Sequence, residues 1–143
     1  MLETIRQLYF YDAWANDRII RLLKSLPSPH ARALNLLGHV LVSERIWFLR
    51  LKGEDTSTIN KSPDLSISDC ERHAGEMHEA YSVLLADLTE HDLARLLKYR
   101  NFKGDEFQTP IGEILLHVAM HGTYHRGQIA TALRAGEIAP VDT

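Results

Sequence analysis

Three histidines, His117, His121 and His125, fall at successive four-residue intervals in an otherwise apolar stretch near the end of the chain. An α-helix turns about 100° per residue, so side chains four apart stand one turn up and about 40° round the same face. Two imidazoles placed in this way can hold one metal ion through neutral ring nitrogens. The competing reading is a pair of core histidines, each hydrogen-bonded to a neighbour. Two rings desolvated side by side are costly if either takes a proton, and a shared divalent ion removes that cost. His121 and His125 are therefore read as metal ligands. Three ligands from consecutive turns of one straight helix rarely converge, so His117 is assigned to the surroundings of the site.

The same spacing occurs in metalloproteases, where a glutamate follows the first histidine as general base. Here that position is Gly122, which excludes the protease reading. The Glu-x-x-His pairs of di-iron bundles and the CxxCH haem attachment are absent as well. A third ligand must come from another helix. His39, inside the apolar run from Leu36 to Val42, is the best candidate, although pattern alone leaves ligand and core histidine equally open.

Asp12 and Asn16 fall in the apolar series of the first helix. Either they reach toward the metal or a substrate, or the helix phase is shifted and Asp12 sits at the rim. Gln128, one turn after His125, is placed to hydrogen-bond a bound group. Trp47, Tyr9 and Tyr81 read as core, and His30, His73, His78 and His91 as surface side chains. No nucleophile–base pair independent of a metal is evident, so no catalytic residue is assigned.

These residues need a scaffold, and the periodicity supplies one. Leu2, Ile5, Tyr9, Asp12, Asn16, Ile19 and Leu23 alternate at spacings of three and four, a helical pattern that Pro27 and Pro29 end. Ser28 is expected to cap a second helix, with Pro29 in its first turn and Gly53 as its stop. Residues 53–67 are polar, include Pro63, and read as a surface connection. Ser68 and Glu71 suggest a capping box for a third helix that frays in the low 90s. Lys98–Phe102 and Glu106–Thr109 suggest a β-hairpin around Gly104. Thr109 is expected to cap a fourth helix whose inner stripe is Ile111, Ile114, Val118, His121, His125, Ile129 and Ala132, ending at Gly136.

The expectation is an all-α protein: a four-helix bundle over residues 1–143 as one domain, with a long helix 2–helix 3 connection and a short hairpin before helix 4. Of 143 residues, 45% are apolar and 24% charged, with a net charge of −3 and no basic stripe for nucleic acid. No apolar run approaches the roughly 20 residues that span a bilayer. Cys70 is the one cysteine, which excludes a disulfide framework and thiolate metal clusters. With no signal-peptide pattern, a cytoplasmic protein is expected.

Taken together, His117-Val-x-x-His121-x-x-x-His125-Arg126-Gly127-Gln128-Ile129 followed by Leu133-Arg-x-Gly136 resembles the DinB family of metalloproteins. His39 with Glu44 and Trp47, and Trp14-Ala-Asn16, add to the likeness. The resemblance implies a four-helix bundle with a three-histidine site, here His39, His121 and His125. It implies one divalent ion, zinc or nickel, and a dimer. It also implies a small-molecule substrate, with thiol-dependent transferases that use low-molecular-weight thiols among the relatives. An open site of this kind would equally serve hydrolysis of a small electrophile. The alternative from another class is a non-catalytic, metal-stabilised bundle or a stress-associated interaction module.

Overall fold

The protein folds into four α-helices and one antiparallel hairpin: α1 (Leu2–Ser25), α2 (Ala31–Leu51), α3 (Ile67–Asp87), a 3-10 turn (His91–Ala94), β1 (Leu96–Arg100), β2 (Glu106–Pro110) and α4 (Ile111–Ala135). The coordinates are a computed structural model that describes residues 1–143. Within the bundle α2 packs chiefly on α4 and α1 on α3, while α2 also meets α3 and α1 also meets α4. The helices thus form a square in which chain neighbours α1 and α2 stand diagonally opposed. The chain crosses between α2 and α3 through the long connection.

The element ends show which local chemistry prevailed. His30, not Ser28, is the N-cap of α2, and its Nδ1 accepts from the Ala33 amide at 3.2 Å. The capping box of α3 is Ser66 with Asp69, two residues ahead of the expected pair. The third helix stops at Asp87 rather than in the low 90s, and the 3-10 turn takes up the intervening chain. Thr109 does not cap α4; it stays in β2 opposite Leu97, and Pro110 holds the N-cap position without a side-chain bond. Gly53 does follow α2, with φ of 79°. Gly104 turns the hairpin with φ of 89°.

The ends of α1 and α3 clamp one another. Glu90, just beyond α3, accepts from the Met1 ammonium and the Leu2 amide, both at 2.8 Å, placing an acid on free donors at the start of α1. In return Arg6 of α1 donates to the carbonyls of Leu85 and Leu88 at the end of α3.

The apolar core is split in two. One cluster gathers Leu2, Ile5, Met77, Tyr81, Leu85 and Leu115; the other gathers Ile19, Leu37, Leu41, Cys70, Ile129 and Leu133. Each fully buried aliphatic side chain contributes roughly 1.5–3 kcal/mol through removal from water. Between the two clusters along α1 and α4 lies a layer of buried polar residues, Asp12, Asn16 and Arg126, joined by Glu44 from α2. This layer, with the rings beside it, is what the bundle holds in place.

Candidate metal centre

The buried face of α4 is Leu115, Ala119, Gly122, Arg126, Ile129 and Leu133, with Ile111, Ile114, Val118 and Ala132 on its shoulder. His121 and His125 are therefore not in the middle of the stripe, as expected, but half-buried on its flank. The side facing them is α2, and His39 comes from it, also half-buried.

The three rings converge. One ring nitrogen from each of His39, His121 and His125 lies within 4.8 Å of the others. The ring centroids of His121 and His125 are 4.4 Å apart, and His39 stands 5.1 Å from the first and 4.7 Å from the second. The Nε2 atoms of His121 and His125 approach to 3.1 Å. His125 turns its other nitrogen, Nδ1, to the Gln128 carbonyl oxygen at 2.8 Å. His39 likewise turns Nδ1 to the Lys61 carbonyl at 3.2 Å. A carbonyl on one ring nitrogen fixes the proton there and leaves a lone pair on the other, the arrangement that metal-bound imidazoles use. Burial foremost, then the neighbouring His125, His39 and His117, push His121 down to about 4. It is therefore neutral at physiological pH, as a ligand must be. On its donor set this group fits a divalent transition metal.

His117 is exposed and stays outside the group; its ring packs edge-on to Trp47 at 5.6 Å and lies 6.1 Å from His121. Asp12 and Asn16 do not reach the histidines either. Asp12 is buried in an ion pair with Arg126 Nη1, which also donates to Asn16 Oδ1 at 3.1 Å. Asn16 Nδ2 in turn donates to Asp12 at 3.1 Å and to Glu44 at 3.2 Å. Burial first, and then the adjacent Asp12 carboxylate, hold the Glu44 carboxyl well above its ordinary range, which favours its protonated form beside Asp12. Tyr81 Oη donates to the Glu44 carbonyl at 2.9 Å. Burial likewise holds the Tyr9 and Tyr81 hydroxyls well above their ordinary range.

Gly122 has a physical reason. A Cβ there would stand 2.6 Å from Asp12 Oδ1 and 2.9 Å from Arg126 Nη1, so only glycine lets the ion pair close against α4. The position where a zinc protease keeps its general base is here the seat of a salt bridge.

A second set of contacts reaches the site from the hairpin. Arg50, buried near the end of α2, lies over three rings: Trp47 at 4.8 Å, Tyr99 at 5.2 Å and Phe102 at 5.1 Å. Lys61 Nζ sits 4.5 Å from the ring centroid of the same hairpin residue, Phe102. The connection that holds His39 through the Lys61 carbonyl is thus pinned by the hairpin.

Sequence reading missed Arg126, Glu44 as Asp12's partner, and Lys61. Two polar residues in the α1 stripe demanded a buried cation, and Arg126 shares the period of Ala119, Gly122, Ile129 and Leu133, a signal that could have named it. His73 is a correction too: it is buried, with Nδ1 unpartnered, not a surface side chain. His30 is half-buried at its cap.

Four helices in a square, with three imidazoles presented between α2 and α4, define a helical bundle with a candidate divalent-metal centre. The chain belongs to the DinB family, whose model matches residues 1–142. It is similar to Protein DinB of Bacillus subtilis (strain 168), 29% identical over 154 aligned positions that take in 96% of this chain and 88% of that protein. No helix is long and apolar enough to cross a membrane.

Proposed function

We propose that the protein binds one divalent metal ion through His39, His121 and His125 and is a metal-dependent enzyme, a transferase acting with a small thiol. The observation that carries this reading is a ligand group of three imidazoles and no fourth side chain. Structural zinc sites close with four protein ligands, whereas catalytic ones keep a position open. A divalent ion held there would acidify a bound water or thiol, making hydroxide or thiolate available near neutral pH. The protein's own share is to keep the His121 ring neutral, to aim His125 and His39 through Gln128 and Lys61, and to leave one side of the group toward solvent. Zinc and nickel suit imidazole ligands. We place this activity in the cytoplasm and in a homodimer.

The test is elemental analysis of untagged protein beside a His121→Ala/His125→Ala variant, followed by a screen of electrophiles with small thiols. About one equivalent of zinc or nickel, lost in the variant, with thiol-dependent turnover lost alongside it, supports the reading. Folded wild-type protein that takes up neither metal sinks it.

One observation favours a second reading, a metal-stabilised bundle without turnover. A cavity of about 400 Å³ is lined by α1, α3 and Glu44 and includes none of the three histidines. Metal uptake that raises the melting temperature, with no thiol chemistry, would select it.

A further inference from the structure

The cavity between α1 and α3 is a built site with no role in the metal reading. Its volume is about 400 Å³, in the range of small-ligand pockets. Its floor is the buried polar layer, Asp12, Asn16 and Glu44; Tyr9 and Tyr81 stand beside them, and Met77 and Leu85 add apolar wall. The two tyrosine rings lie 4.6 Å apart. A shallower groove continues it along the same seam, sharing Phe10, Ala13, Ala74 and His78.

The floor is short of one positive charge. Two carboxyls, Asp12 and Glu44, are buried with a single cation, Arg126, which is committed to Asp12. A proton on Glu44, favoured by burial and by the neighbouring Asp12 carboxylate, would make up the difference. The groups facing that carboxyl are Asp12 and Asn16 from α1, Tyr9 from α1, Tyr81 from α3 and Arg126 from α4. Arg6 and His78 also line the cavity; Arg6 donates to the Leu85 and Leu88 carbonyls, and its charge is paired with Glu3 at 3.7 Å, away from the floor.

We propose that this cavity binds a small amphipathic amine, its ammonium on Glu44 and Asp12 beside the paired tyrosine rings and its apolar tail along Met77 and Leu85. An ammonium supplies the missing charge through charge-assisted hydrogen bonds, and aromatic faces attract it. A hard divalent ion does not suit the floor, because the Arg126 guanidinium stands directly behind it and the walls are apolar. As the ammonium enters, Glu44 releases its proton to solvent, so charge and atoms balance without a further reactant.

The test is isothermal titration of full-length protein with a series of primary ω-phenylalkylamines, each matched to the alcohol of the same length. The expected result is saturable binding of an amine at least about tenfold tighter than its alcohol. Titration at several pH values in buffers of differing ionisation heat should show proton release when the amine binds and none when the alcohol does. Glu44→Gln, which keeps the shape of the protonated side chain, should weaken the amine at least about tenfold and leave the alcohol unchanged. Ala86→Trp, at an exposed position on the cavity lining, should weaken both while circular dichroism and metal content stay as in wild type. Alcohol binding equal to amine binding, an undiminished amine affinity in Glu44→Gln, or no saturable amine binding by folded wild-type protein would each overturn the proposal.

Discussion

Arg126 and Asp12 form their ion pair in the interior of the bundle, one residue along the chain from His125. The α4 residue that points inward to α1 is thus the neighbour of the one that turns toward α2. The same turn of helix is fixed on both sides, by a buried charge pair and by a ring in the candidate metal group.

Breaking that pair should be expensive. Arg126→Met leaves the Asp12 carboxylate buried without its cation, and should lower unfolding free energy in urea by about 3–5 kcal/mol. Adding Asp12→Asn should recover much of the loss, since the orphaned charge is then gone. Equal losses in the single and double variants would show that the pair does not couple the helices.

Two glycines on α4 should respond with opposite signs to the same change. Gly122→Ala forces a methyl to 2.6 Å from Asp12 Oδ1 and should destabilise by about 1–3 kcal/mol. Gly127→Ala meets nothing within 4 Å and should stabilise by about 0.5–1 kcal/mol through helix propensity. Thermal melts of the two variants against wild type decide the matter.

The buried Glu44 should write itself into the pH dependence of stability. Its pKa is raised from the usual 4.5 by burial first and Asp12 second. Below that value both folded and unfolded chains hold the proton and the contribution is whole. As pH rises, the unfolded chain sheds the proton while the folded one keeps it, so stability falls until the folded carboxyl itself titrates. Glu44→Gln should remove this decline, matching wild type near pH 4.5 and exceeding it at pH 8. Parallel curves for the two proteins over that range would refute the assignment.

For the histidine group, replacing Gln128 with Leu removes the carbonyl that orients His125 Nδ1 at 2.8 Å. Metal affinity, measured by competition with a chromogenic chelator, should fall about 10- to 100-fold with the fold intact. Chelation of the wild-type protein should lower its melting temperature in the same direction.

Cys70 should be silent to thiol reagents. It is fully buried, and burial foremost pushes its thiol up to about 11. Reaction with a chromogenic disulfide should appear only on unfolding; prompt labelling of the native protein would contradict the packing.

The helices were legible because each carries an amphipathic period and a stop, such as the Pro27–Pro29 segment or Gly53. The pairing of His121 with His125 was legible because spacing alone sets their neighbourhood. Their place on the flank of α4 was harder to read: His121 and His125 fit one apolar period as well as Arg126 fits the neighbouring one, and only the polar Asp12 and Asn16 across the bundle favour Arg126 for the inner line. Partners far apart in sequence, such as Asp12 with Arg126 or His39 with Lys61, leave no local trace. Caps shifted by two residues for a related reason. Several Ser, Thr and His side chains could each satisfy the first amides, and tertiary packing chose among them.

The chain of contacts from Phe102 through Lys61 to His39 gives the hairpin an influence out of proportion to its size. A residue inserted near Gly104 would shift the ring on which Lys61 rests, and with it the carbonyl that fixes the tilt of one imidazole. Hairpin length is thus a dial on ligand geometry, available to drift between related proteins without any change to the three histidines themselves.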